Sequence, residues 1–152
     1  MNDRVRLDLG NYLPYLVNRV GAALVARFTA TALKPNNLSI DMWRVLAALS
    51  FGGEQRQVDL AARTSIDAST ISRIVTRLMR LGLVTRRRSQ NSNREVVVAL
   101  TSKGEALVQR LIPVALELEA TASAGVGVRD MTVVKRALRQ FYDNLTKPPP
   151  AS

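Results

Sequence analysis

Ser69-Thr70-Ile71-Ser72-Arg73-Ile74-Val75-Thr76-Arg77-Leu78-Met79-Arg80-Leu81-Gly82-Leu83-Val84-Thr85-Arg86-Arg87-Arg88 reads as an amphipathic helix that stops at a glycine and continues as a basic strand. At 100° per residue Ile71, Ile74, Val75 and Leu78 share one side, the side that faces a core. Ser69, Arg73, Thr76 and Arg80 cluster opposite, with Thr70, Ser72 and Arg77 on the flanks. Gly82 sits where a helix end often needs left-handed backbone. Residues 69–94 hold seven arginines (Arg73, Arg77, Arg80, Arg86, Arg87, Arg88 and Arg94) and no acidic residue, so they supply +7 of the net charge of +10. Charge concentrated in this way is aimed at a polyanion, and duplex DNA is the leading reading.

The strand-period residues that follow complete a hairpin. Residues 83–88 and 95–100 are expected as two strands around the polar tip 89–94, with Val96, Val98 and Leu100 alternating. Arg86 and Arg88 fall on one face of the outgoing strand and Arg87 on the other, since successive side chains alternate. These three are read as phosphate grips without sequence information. Arg94, near the tip, is placed to enter a minor groove. In the helix, Ser69, Thr70 and Ser72 are short enough to reach bases or phosphates, and Arg73 can bond both acceptors of a guanine.

Working outward, helix-period apolar residues predict helices over 9–33 and, behind Ser39 as N-cap, over about 40–50, with Met42, Val45, Leu46 and Leu49 buried. A short helix is expected over 58–63 and the basic helix over 68–81. Downstream, a helix over 102–122 with a Ser102–Glu105 capping box and an internal Pro113 is expected, then one over 130–145. The tail 147–152, with three prolines, is expected to be disordered. The fold class is therefore mainly α (α+β): a winged helix–turn–helix over 38–101 with helices at both ends, in one domain over 1–146.

Composition narrows the function. At 152 residues, 47% hydrophobic and 22% charged, the chain is ordinary for a globular protein with one core. It has no cysteine and no histidine, which removes disulfides, thiol chemistry, the usual general base and the commonest zinc ligand. No Gly-rich phosphate loop or carboxylate cluster is present, so no enzymatic role, metal or cofactor is expected. No signal peptide or membrane-spanning run is legible, and a cytoplasmic protein that does not engage membranes is expected.

The runs Leu38-Ser39…Trp43-Arg44-Val45-Leu46, Asp59-Leu60-Ala61, Ile66-Asp67-Ala68-Ser69-Thr70-Ile71-Ser72-Arg73, Gly82-Leu83-Val84 and Arg94-Glu95-Val96-Val97-Val98-Ala99-Leu100-Thr101-Ser102-Lys103-Gly104 resemble, in this order and spacing, the MarR family of winged-helix regulators. The resemblance implies an obligate homodimer, with 9–33, 102–122 and 130–145 as dimerisation helices and each winged helix reading half of a pseudo-palindromic site in double-stranded DNA. It implies a transcriptional repressor, released by a small aromatic or anionic effector held between the dimer helices and the reading head. Tyr15, Arg27, Met42, Trp43 and Arg44 are the candidates to line that pocket, simple core packing being the alternative for Trp43. The family pattern places an aspartate two residues before the wing arginine. Here that position is Ser92, so Arg94 is expected to be less rigid or to draw its support from Ser92 or Asn91. The lack of cysteine excludes a thiol-oxidation sensor. The rival readings are a nonspecific or architectural DNA-binding protein and a winged helix used as a protein-interaction module.

Overall fold

Ile71, Ile74, Val75 and Leu78 are all buried, so the basic helix turns its apolar stripe inward as its period requires. The computed structural model describes residues 5–92 and 94–147. Along them run helices α1 (Leu13–Phe28), α2 (Ile40–Gly52), α3 (Gln57–Thr64), α4 (Ala68–Arg80), α5 (Ser102–Ala122) and α6 (Val128–Thr146). Strands β1 (Gln55–Arg56), β2 (Val84–Arg88) and β3 (Val96–Leu100) form an antiparallel sheet in the order β1-β3-β2. Helices α3 and α4 with the β2–β3 hairpin make a winged helix–turn–helix.

Its core is built from the residues the periodicity singles out. Met42, Val45, Leu46 and Leu49 of α2 are buried with Leu60 of α3 and the α4 stripe. Ser39 starts α2 by accepting the Met42 N–H at 3.2 Å, which satisfies one of the free donors of a helix start. Ser65, at φ 55°, makes the left-handed turn between α3 and α4, and Gly82, at φ 72°, makes the turn out of α4.

Strand β1 has no counterpart in the sequence reading. It is two residues long and pairs Gln55 with Val98 and Arg56 with Val97. Gln55 is buried, and its Nε2 donates to the carbonyl of Ala48 at 2.7 Å, which ties the end of α2 to the sheet.

The start of α5 also differs from expectation. Thr101, not Ser102, caps it: Thr101 Oγ1 accepts the Gly104 N–H at 3.0 Å. Glu105 accepts from Gln109 Nε2 at 3.0 Å instead of closing a capping box. Thr101 Oγ1 also donates to the Gly82 carbonyl at 2.7 Å, and Lys103 Nζ donates to the Leu81 carbonyl at 2.8 Å. A Cβ added at Gly104 would lie 2.1 Å from the Leu83 carbonyl oxygen, so only glycine permits this approach. The start of α5 is thus fastened to the end of α4.

The expected continuous helix over 9–33 is divided. A 3₁₀ turn, Leu9–Asn11, is capped by Asp8; Tyr12 is extended, and α1 then begins with Pro14 in its first turn. Pro14 is compatible only there, because its ring has no N–H to give. Thr29–Leu33 continues as a wider π-type turn. Gly127 is extended and precedes α6, which therefore starts at Val128, ahead of the expected 130. Apart from Lys147, the tail expected to be disordered lies outside the described residues.

Contacts divide the chain into two compact units, Met1–Leu116 and Glu117–Ser152. In the first, Leu13, Leu16, Val17 and Val20 of α1 are exposed. In the second, Lys135 pairs with Glu119, while α6 buries no residue and exposes Val133, Val134, Leu138, Phe141 and Tyr142. Pro113 lies inside α5.

Candidate nucleic-acid interface

The α4 register that buries the isoleucines necessarily presents the opposite face to solvent. Ser72, Arg73, Thr76, Arg77, Arg80 and Leu81 line a concavity of about 660 Å³ on that face. Arg73, Arg77 and Arg80 are exposed, and none of them forms an ion pair among the described residues. A helix face that carries unneutralised guanidinium groups and no acid can accept phosphates or guanine edges directly.

The start of α4 is organised by a residue just outside the helix expected over 68–81. Asp67 is the N-cap, and its Oδ1 accepts from Ser69 Oγ at 2.6 Å and from the Thr70 N–H at 2.9 Å. Its Oδ2 accepts from Thr70 Oγ1 at 2.6 Å. The bonds from the Ser69 hydroxyl, then the Thr70 hydroxyl and amide, hold the Asp67 carboxyl well below the usual carboxylate range. An aspartate immediately ahead of a helical run was the signal that could have revealed it.

This cap changes what the predicted polar contacts can do. A hydroxyl has one hydrogen. Ser69 and Thr70 commit theirs to Asp67, so each faces outward as an acceptor, suited to a base amino group rather than to a phosphate oxygen. Thr76 likewise donates within the helix, to the Ser72 carbonyl at 2.9 Å. The Ser72 hydroxyl has no such bond among the described residues, so it can still donate. Arg73 Nη2 lies 3.5 Å from Thr70 Oγ1, at the limit of hydrogen bonding.

The hairpin is organised differently. Across the sheet, Arg56 and Arg87 are both opposite Val97, so they form one row. Both are neutralised. Arg87 Nη2 is 2.5 Å from Glu54 Oε1. Arg56 is held by Asp59 at 2.7 Å and by Glu95 at 2.9 Å. The hydrogen bonds to Asp59 and then Glu95 push the Arg56 guanidinium above its ordinary value, and the bond from Arg56 lowers Asp59. Arg86 and Arg88 lie in the alternate rows, opposite Val98 and Val96, and are exposed without a carboxylate partner among the described residues. The expected split of the three arginines over two faces is therefore present, and it coincides with a split between paired and unpaired charge. The pairs Glu54–Arg87 and Arg56–Glu95 were missed by the sequence reading because their partners are distant in sequence.

Arg94 is exposed near the hairpin tip. Ser92 Oγ accepts its backbone N–H at 3.4 Å, so Ser92 steadies the chain, and the guanidinium has no ion-pair partner among the described residues. Asn91 donates its own N–H to Ser89 Oγ at 3.2 Å.

The residues expected around an effector make local contacts in the fold. Met42 is fully buried. Trp43 packs edge-on against Phe28, ring centroids 5.4 Å apart, which joins α1 to α2. Arg44 pairs with Asp41 at 2.9 Å, Tyr15 lies beneath Arg19 at 5.5 Å, and Arg27 is exposed in the last turn of α1. Among the described residues no His/Cys/Asp/Glu group is placed to hold a metal ion, and no helix is long and apolar enough to cross a membrane.

Comparison with known proteins gives a consistent picture. A sequence profile described as MarR family matches residues 37–95, which span α2 to the hairpin. The HTH-type transcriptional repressor NicR of Pseudomonas putida is 28% identical over 142 residues, covering 93% of this chain and 89% of NicR. A MarR-family transcriptional regulator from Silicibacter pomeroyi superposes with a TM-score of 0.82 at 26% identity, covering 95% of this chain and 99% of that one. BpsR of Bordetella bronchiseptica, whose DNA binding is regulated by 6-hydroxynicotinic acid, superposes with a TM-score of 0.76 at 26% identity over 86% of this chain and 98% of BpsR.

Proposed function

We propose that the chain is a transcriptional regulator of the MarR type, a homodimeric repressor that binds a pseudo-palindromic operator in double-stranded DNA. The observation that carries this reading is the exposed α4 face, where Arg73, Arg77 and Arg80 have no carboxylate partner among the described residues. In this reading α4 enters the major groove, where Arg73 and the acceptor oxygens of Ser69 and Thr70 read base edges. Ser72, Arg77 and Arg80 contact bases at the groove edge or the flanking phosphates. Arg86 and Arg88 grip the backbone beside the groove, and Arg94 probes the adjacent minor groove.

Dimerisation follows from the apolar residues that each unit leaves in water. Leu13, Leu16, Val17 and Val20 of α1, and Val133, Val134, Leu138 and Phe141 of α6, are contiguous helical stripes of the kind that mark interaction surfaces. A second copy of the chain is the partner, residues 1–146 acting as one functional domain. Two-fold symmetry then sets the half-sites about one helical turn apart. The role is regulatory rather than catalytic, on cytoplasmic DNA. By likeness to BpsR, its DNA binding responds to a small aromatic acid.

The test is the affinity for DNA flanking the protein's own gene relative to random sequence at one salt concentration. A specific repressor discriminates by roughly 10³-fold or more. A ratio near one identifies a nonspecific DNA-binding protein instead, and no binding to either DNA at physiological salt identifies a protein-interaction module.

A further inference from the structure

The pairing of β2 with β3 ends at Arg88 and Val96, so residues 89–95 stand beyond the sheet. Their own backbone bonds converge on one residue. Ser89 N–H donates to the Glu95 carbonyl at 2.8 Å, and Glu95 N–H donates to the Ser92 carbonyl at 3.2 Å. Glu95 is therefore the base of the hairpin tip and the chain neighbour of Arg94. Among the described residues, the one side-chain bond from 89–95 to a residue outside the hairpin is made there too. Glu95 Oε1 accepts from Arg56 Nη1 at 2.9 Å.

Arg56 is itself held. Its Nε and Nη2 donate to the two carboxylate oxygens of Asp59 at 2.7 and 2.9 Å, a parallel fork on the first turn of α3. Its backbone lies in β1, opposite Val97. Exposed ion pairs are ordinarily weak, partly because each must order two long side chains. Here Asp59 already orders the guanidinium, so the bond to Glu95 costs less conformational entropy. A continuous path, Asp59–Arg56–Glu95, thus leads from α3 to the residue beside Arg94.

We propose that Arg56 is a positioning residue: anchored on α3 by Asp59, it holds Glu95 and so fixes the hairpin tip, and Arg94 with it, for entry into the minor groove. Arg56 touches no DNA in this role. The ordering of the tip stands on the ion-pair geometry alone; its consequence for DNA rests on the reading of Arg94 as the groove probe.

Electron paramagnetic resonance of the full-length protein without DNA tests the first half, with a nitroxide on Gln90→Cys in a chain that has no other cysteine. Arg56→Met and Glu95→Gln should each narrow the spectrum, as a freer tip moves faster, and Arg56→Lys should restore part of the parent width. A spectrum unchanged in either variant overturns the assignment. So does a lower melting temperature without narrowing, which leaves the pair a structural role only.

Fluorescence anisotropy tests the second half, using the site in the DNA flanking the gene with its outer base pairs replaced by A-tracts, whose minor groove is narrow, or by G·C pairs. The parent should prefer the A-tract duplex, and Arg94→Ala should lose that preference. Arg56→Met and Glu95→Gln should lose it as well, although one removes a positive charge and the other a negative one. Charge alone would move their affinities in opposite directions. A preference kept in either variant while Arg94→Ala loses it overturns the positioning role. A parent without the preference, or an Arg94→Ala that keeps it, refutes the groove reading of Arg94, while the spectra still decide whether Arg56 orders the tip.

Discussion

The α4 face and the base of the hairpin carry similar numbers of arginines, yet the fold treats them in opposite ways. On α4, Arg73, Arg77 and Arg80 are presented with no carboxylate partner among the described residues. In the sheet row of Arg56 and Arg87, Glu54, Asp59 and Glu95 neutralise both guanidinium groups. Bare charge is therefore a property of particular rows and faces, not of the arginine-rich stretch as a whole. A cation already paired must give up its partner to bind phosphate, so it contributes less to affinity than one held bare.

The sharpest way to break this comparison is to disturb the junction that holds helix and hairpin together. Gly104→Ala puts a methyl 2.1 Å from the Leu83 carbonyl, which cannot move without shifting β2. A loss of about 1–3 kcal/mol in stability is expected, measured by urea denaturation, together with weaker binding to every DNA sequence. Unchanged stability would show that α5 can slide at this point. Arg80→Ala should weaken operator and random DNA alike and lower the slope of log K against log salt by about one. A change in discrimination would move Arg80 from the phosphate group to the base-reading group.

Glu54→Gln sharpens the contrast from the other side. It frees Arg87, so nonspecific affinity and the salt slope should rise slightly, at a stability cost of about 0–1 kcal/mol for an exposed pair. No rise would show that Arg87 is out of reach of the duplex. Another effect concerns the Asp67 cap. Its folded carboxyl titrates below its unfolded one, so the stabilisation is complete above the unfolded aspartate range, near pH 4. It is lost as the pH falls through the lower folded value. Thermal melts of Asp67→Ala should lie below those of the parent at pH 7, and the gap should close under acid.

Sequence made the helix phase legible because it is local. The α4 stripe, the Ser39 cap and the Gly82 turn each depend on residues within a few positions. What escaped was set by distance or by a choice between near equivalents. Strand β1 exists only because β3 lies beside it, and a two-residue strand has no period to detect. The pairings Glu54–Arg87 and Arg56–Glu95 cross the sheet, so the seven-arginine run reads as uniformly free when it is not. Thr101 and Ser102 are both capable caps, and the Gly82 carbonyl that engages Thr101 decided between them.

The central claim is that the bare Arg73 of α4 chooses the sequence and the neutralised Arg87 of the hairpin does not. The direct measurement is the ratio of operator to random-DNA affinity for Arg73→Ala and Arg87→Ala, taken side by side at one salt concentration. The account predicts that Arg73→Ala lowers the ratio by about 1–3 kcal/mol while Arg87→Ala leaves it unchanged. A preserved ratio in Arg73→Ala, or an equal fall in Arg87→Ala, would contradict it.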